Sequence, residues 1–222
     1  MSARACARVA GLLACALALA GCDAPTVPAR TGAYPFALQT VAGEVVMRWP
    51  AGGTVRVAVA PGGAAASNLQ AAVTAGAAQW NAVALYGEYE LVRVSDVADA
   101  DVVVAGSDVP LPVDVSACPP SSPGFGLTTF CLSPDGRSLT TFPLAGGGGH
   151  IRMVVTVLAS FATDGAAARR VVAHELGHVL GIARHSPNPA DLMAAAAPTD
   201  RPGPADVATV LALYHTPATV VP

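Results

Sequence analysis

His174-Glu175-Leu176-Gly177-His178-Val179-Leu180-Gly181-Ile182-Ala183-Arg184-His185 carries three histidines and one glutamate at H-E-x-x-H-x-x-G-x-x-H spacing. On an α-helix, His174 and His178 project from one face, a turn apart. Two imidazoles so placed can share one zinc ion, each nitrogen about 2.0–2.1 Å from the metal. The Glu175 carboxylate, beside the first ligand, can then reach an activated water rather than the metal itself. Gly181 lets the chain leave the helix, because only glycine enters left-handed conformations without steric penalty. That turn can bring His185 back as a third ligand. Three protein ligands leave the fourth tetrahedral position open, which is how a catalytic site differs from a closed structural one.

Patterning on both sides of the motif predicts the elements that hold it. Ile151 to Leu158 reads as a strand, and Asp164 is a suitable cap for the motif helix, whose apolar stripe is Val171, Val172 and Leu176. After His185, Pro187 and Pro189 forbid regular structure, and Pro204 to Tyr214 predicts a last helix burying Val207, Val210, Leu211 and Tyr214. Further upstream, Glu44–Trp49 and Thr54–Ala60 are β-rich, the second with period-two alternation. Ser67 is a candidate cap for a helix through Leu69, Val73, Ala77, Trp80 and Ala84. Tyr89–Val94 reads as another strand, and Ala100–Ala105 as a strand covered on both faces. Residues 107 to 150 are rich in proline, glycine and serine; within them Leu127–Leu132 and Ser138–Phe142 could pair across the turn at Ser133–Gly136.

The chain has 222 residues, 53% of them hydrophobic and 12% charged, enough to build one packed domain. A net charge of −3 and the lack of any basic run argue against a nucleic-acid partner. At the amino terminus, Arg4 and Arg8 precede an uncharged apolar run from Val9 to Ala20, of signal-peptide rather than membrane-span length. Leu19-Ala20-Gly21-Cys22 follows and resembles the lipobox of bacterial lipoproteins, in which the cysteine is lipidated and becomes the first residue of the mature chain. Residues 1–21 are thus expected to be a signal peptide. On this reading Cys22 carries the lipid, 22–43 form the tether, 44–222 form the catalytic domain, and the protein is exported to the cell envelope. The alternative is an ordinary secretory signal that happens to contain a cysteine. Export leaves Cys118 and Cys131 as an even pair in the domain, read as a disulfide over two free thiols. Closing that loop would contribute about 3 kcal/mol on the chain-entropy account.

Beyond the motif, Arg48-Trp49-Pro50, Trp80, Ala100-Asp101-Val102-Val103-Val104, Ser186 and Asp191-Leu192-Met193 extend a likeness over roughly Val46 to His215. Together they resemble the catalytic domain of the metzincin metallopeptidases, most closely the matrixin branch. The resemblance implies an α+β fold of zincin type. Its parts would be a twisted mixed sheet of about five strands, a first helix, a motif-bearing helix and a C-terminal helix. It also implies that Met193 packs beneath the zinc ligands and that residues 194–199 wall the pocket. A glutamate-liganded alternative needs a downstream glutamate, and none follows His178. Two features depart from relatives of this type. The tyrosine that some metzincins place two residues after the methionine is Ala195 here. Only His150 stands where a structural zinc would bind, so a second zinc or a calcium is not expected.

The function expected is hydrolysis of a protein or peptide by a monomer holding one Zn²⁺ on His174, His178 and His185, with Glu175 as general base. Two other readings remain: a zinc-binding surface module without catalysis, and a zinc hydrolase acting on a non-peptide bond.

Overall fold

Runs of valine at alternate positions build the sheet on which everything else rests. The computed structural model describes residues 31–222 except 42, 117, 119–123, 134, 135, 146 and 148. The leader, the lipobox with Cys22, and the centre of the turn expected at Ser133–Gly136 lie outside the described residues. A short hairpin comes first, β1 (Leu38–Thr40) with β2 (Gly43–Val45), followed by β3 (Gly53–Val59), helix α1 (Ala66–Asn81), β4 (Tyr89–Arg93) and β5 (Val102–Gly106). Short strands follow: β6 (Gly126–Thr129), β7 (Cys131–Leu132), β8 (Leu139–Thr140), β9 (Phe142–Pro143) and β10 (His150–Ile151). The chain then forms β11 (Met153–Val157), the one-turn helix α2 (Ala159–Ala162), α3 (Gly165–Val179) and α4 (Pro204–Tyr214).

Five strands form a mixed sheet in the order β4-β3-β5-β11-β6. The first four are parallel, and β6 runs antiparallel to β11 with Thr128 opposite Val155. The result is a mixed α/β domain of the α+β kind expected. Successive strand residues face opposite sides of a sheet. Val55, Val57, Val102, Val104, Met153 and Val155 thus join the helix-facing core with Leu69, Trp80 and Leu176, while Ala58, Val103 and Val154 pack under Phe142 and Ile151 on the other side. All five residues of β5 are buried, as its continuous apolar run predicted.

Helices α1 and α3 cross closely because Gly76 faces α3 without a side chain. A Cβ there would come within 2.9 Å of Leu176 Cδ1 and 3.4 Å of the Ala173 Cα. Trp80, fully buried beside this crossing, donates its indole N–H to the Ala173 carbonyl at 2.8 Å. Burying an indole with its N–H satisfied gains apolar area and leaves no orphan donor.

Several sequence expectations need correction. α1 begins at Ala66 without a side-chain cap and stops at Asn81, so Ser67 is not its cap and Ala84 is outside it. The Asn81 side chain ends the helix by pairing with both the N–H and the C=O of Leu91 on β4. Residues 127–132 do not form one strand paired with 138–142. β6 joins the main sheet, and only Cys131–Leu132 pairs with Leu139–Thr140. Part of the segment assigned above to the tether is folded: Tyr34 and Ala37 are buried, and β1 (Leu38–Thr40) pairs with β2. The folded unit therefore begins before Glu44. On α4, Val210, Leu211 and Tyr214 are buried as expected, but Val207 is only partly buried, and Asp206, Thr209 and Leu213 are buried as well. Two polar side chains lie inward there because they bind the neighbouring loop and the N-terminal segment.

Candidate metal centre and its cleft

α3 is held at both ends by side chains that sequence patterning only partly exposes. Asp164 caps it, accepting from Ala166 N–H at 2.8 Å and Ala167 N–H at 3.2 Å, and those bonds hold its carboxyl below the usual range. At the other end Gly181 has φ of +111°. Gly181 N–H donates to the His178 carbonyl at 3.0 Å, and Ile182 N–H to that of Gly177 at 3.1 Å, the double bond of a Schellman ending. A side chain at Gly181 would also collide with the Met47 carbonyl oxygen. Trp49 then donates its indole N–H to the Val179 carbonyl at 2.8 Å, satisfying one of the acceptors a helix end leaves open.

This ending brings His185 back beside the two helical histidines, as the spacing predicted. The ring centroids of the three lie 4.8, 5.1 and 5.2 Å apart, and one nitrogen from each falls within 4.8 Å of the others. Among the described residues this is the one group of three or more His, Cys, Asp or Glu side chains with metal-ligating geometry.

The outer nitrogens fix the tautomers. His174 Nδ1 lies 2.8 Å from the Leu192 carbonyl oxygen, and His178 Nδ1 lies 2.5 Å from that of Ile182. A carbonyl only accepts, so each Nδ1 carries the proton and each Nε2 keeps a bare lone pair. Those two Nε2 atoms stand 3.1 Å apart. Two lone pairs pointed at one another repel unless a cation lies between them, so the donor set fits a zinc ion. Burial holds both imidazoles neutral, lowering each pKa to about 4; for His174 the neighbouring His178 adds to the effect.

Glu175 sits beside this group, 4% exposed, and burial pushes its carboxyl upward. Its Oε2 accepts a 2.7 Å hydrogen bond from Thr128 Oγ1 on β6. Met193 packs against Gly177 of α3, and a Cβ on that glycine would strike the Met193 sulfur. Fully buried Asp206 holds the Met193 loop, accepting from Leu192 N–H at 3.0 Å, Met193 N–H at 3.3 Å and Gly203 N–H at 2.9 Å. Tyr34 completes the set, donating its hydroxyl to Asp206 at 2.7 Å. Burial, then the bond and charge of Asp206, push the Tyr34 phenol far above its usual range. Ser186 adds a second brace: its N–H donates to the Met193 carbonyl at 2.8 Å, and its hydroxyl donates to Asp191 at 2.5 Å.

A cleft of about 410 Å³ opens over the histidines and Glu175. Its walls include Leu38 of the hairpin, Phe125 and Thr128 from the β6 side, Val171 of α3, and Ala195 and Ala197 from the loop after Met193. Ala197 is held at φ +43°, the one non-glycine residue with positive φ among the described residues. A strained backbone at a cleft wall indicates that the surrounding structure fixes that wall.

Other predicted residues lie elsewhere. Cys118 and Cys131 form a disulfide, Cα atoms 6.0 Å apart, in the loop region after β5. His150 is exposed on β10. His215 caps the C-terminal end of α4, with Nε2 3.4 Å from the buried Glu88 carboxylate, a pairing the sequence did not suggest. Sequence reasoning also missed Thr128, Asp206 and Tyr34. For Asp206 a signal existed: it shares the i, i+4, i+7 face of α4 with Val210 and Leu213, where a charged residue demands buried donors. Neither a protein-family model nor a curated protein matches the chain.

Proposed function

We propose that this chain is a zinc-dependent endopeptidase of the metzincin, matrixin-like kind. The convergence of three histidines on one point, with a buried carboxylate beside it at the floor of a cleft, carries this reading. His174, His178 and His185 would hold the zinc, which would supply a Lewis acid able to acidify water and polarise a carbonyl. Glu175 takes the proton of the attacking water and returns it to the leaving amine. The peptide lies extended along β6, which ends the sheet at the cleft. Leu38, Phe125, Val171 and the two alanines make the cleft apolar around the reacting bond. Met193, Asp206 and Ser186 keep the ligand loop in place and touch no substrate.

The leader and Cys22 place the enzyme at the bacterial envelope, attached by lipid and acting on envelope or external polypeptides. Attachment in this reading rests on the lipid at Cys22; no helix among the described residues is long and apolar enough to cross a membrane.

The test is incubation of the protein with casein or a peptide library, with and without a zinc chelator. Cleavage that stops on chelation and returns with Zn²⁺ is expected. Stoichiometric zinc binding with no peptide cleaved would sink the endopeptidase reading.

A further inference from the structure

We propose that Thr128 is the positioning residue for Glu175, fixing which carboxylate oxygen is free to take a proton; this rests on the endopeptidase reading above. Gly126 and Thr128 are two apart on β6 and so face the same side of the strand, towards α3. The Glu175 carboxylate lies across that face with its two oxygens treated differently. Thr128 Oγ1 donates to Oε2 at 2.7 Å. Oε1 lies over Gly126, where a Cβ would come within 2.7 Å of that oxygen and of Val171 Cγ1, and within 3.0 Å of Glu175 Cγ. The missing side chain is what lets the carboxylate lie flat there.

Oε2 is thus engaged by a donor, and Oε1 is left as the proton acceptor. β6 is fixed in turn by its register with β11, where Thr128 stands opposite Val155 and Gly126 opposite Val157. The same strand that ends the sheet at the cleft therefore also aims the general base. Carboxylate orientation and peptide binding share one rigid element, which would keep their relative geometry constant from one substrate to the next. Thr128 keeps its own proton throughout and touches no reacting atom.

Two variants separate this role from mere structure. Thr128→Val keeps the shape and removes the donor, and Thr128→Ser keeps the donor. In Thr128→Val, kcat is expected to fall about 10- to 100-fold, a fraction of what a general base contributes, with KM and zinc content unchanged. Thr128→Ser should restore most of kcat. Gly126→Ala is the second approach to the same carboxylate and should also lower kcat while zinc stays bound. A readout without substrate completes the test: the infrared carboxylate band that disappears in Glu175→Gln should shift in Thr128→Val and stay in place in Thr128→Ser. Wild-type kcat in Thr128→Val, or an unmoved band, would overturn the proposal. A wild-type protein that cleaves no peptide would instead overturn the endopeptidase reading, with the infrared arm still deciding whether Thr128 sets the carboxylate.

Discussion

Two carboxylates, Asp206 and Glu175, are buried for different ends. Beneath the ligand loop, Asp206 is 0% exposed and accepts four hydrogen bonds, from Tyr34, Leu192, Met193 and Gly203. At the cleft floor Glu175 is 4% exposed, and its one hydrogen-bonding side-chain partner is Thr128. A buried charge is costly unless its lone pairs are filled. Asp206 meets that demand and becomes architecture, tying the N-terminal segment and α4 to the loop whose Leu192 carbonyl orients His174. Glu175 meets it only in part. The capacity left over, in a water-accessible cleft, is what a proton-transferring group requires.

The contrast predicts opposite responses to neutralisation. Glu175→Gln should cut peptide hydrolysis by about 10²- to 10⁴-fold, leave zinc bound, and leave the melting temperature unchanged or higher, because a desolvated charge is removed. Asp206→Ala should act the other way. It orphans several buried donors and is expected to cost on the order of 3–5 kcal/mol of stability, read by denaturant unfolding, with weaker zinc retention as the Leu192 carbonyl drifts from His174. Equal stability losses in the two variants would erase the distinction.

Protonation sharpens the comparison in the zinc-free protein. His174 and His178 have folded pKa values of about 4, below their ordinary value of 6.5. The unfolded chain therefore binds more protons between those limits, and stability is full above pH 6.5 and lost as pH falls towards 4. Glu175 has the opposite sign. Its folded pKa is raised above 4.5, so its contribution is full below 4.5 and is lost as pH rises through the folded value. Each histidine on its own makes stability decline from pH 6.5 to 4 by about 3 kcal/mol, and Glu175 opposes that decline. Glu175→Gln should steepen that decline, and a flat profile would contradict the burial of the two rings. The smallest effect is expected from Tyr34→Phe, which removes one donor from Asp206 and should cost about 1–2 kcal/mol without altering kcat.

Much of the site was legible because its signals are local. The motif spacing, the Asp164 cap, Gly181 and the strand before the helix depend on neighbours within a few residues, and the structure has each where the pattern put it. The hairpin expected between residues 127 and 142 was misread for the converse reason. β6 pairs with β11, some 25 residues away in sequence, and period-two patterning cannot name the partner of a strand. The N-terminal boundary was misread because Tyr34 is held by Asp206, across 172 residues of sequence, while proline and glycine around it look like linker.

By itself, then, the sequence determined the three-histidine group, the helix that displays two of its members and the turn that returns the third, because helical periodicity and glycine stereochemistry are fixed by adjacent residues. Only the tertiary structure decided which nitrogen of His174 and His178 is left bare, which oxygen of Glu175 is occupied, and that Tyr34 belongs to the site. Those depend on hydrogen-bond partners supplied by distant segments, and a buried polar group is defined by the partner the fold brings to it.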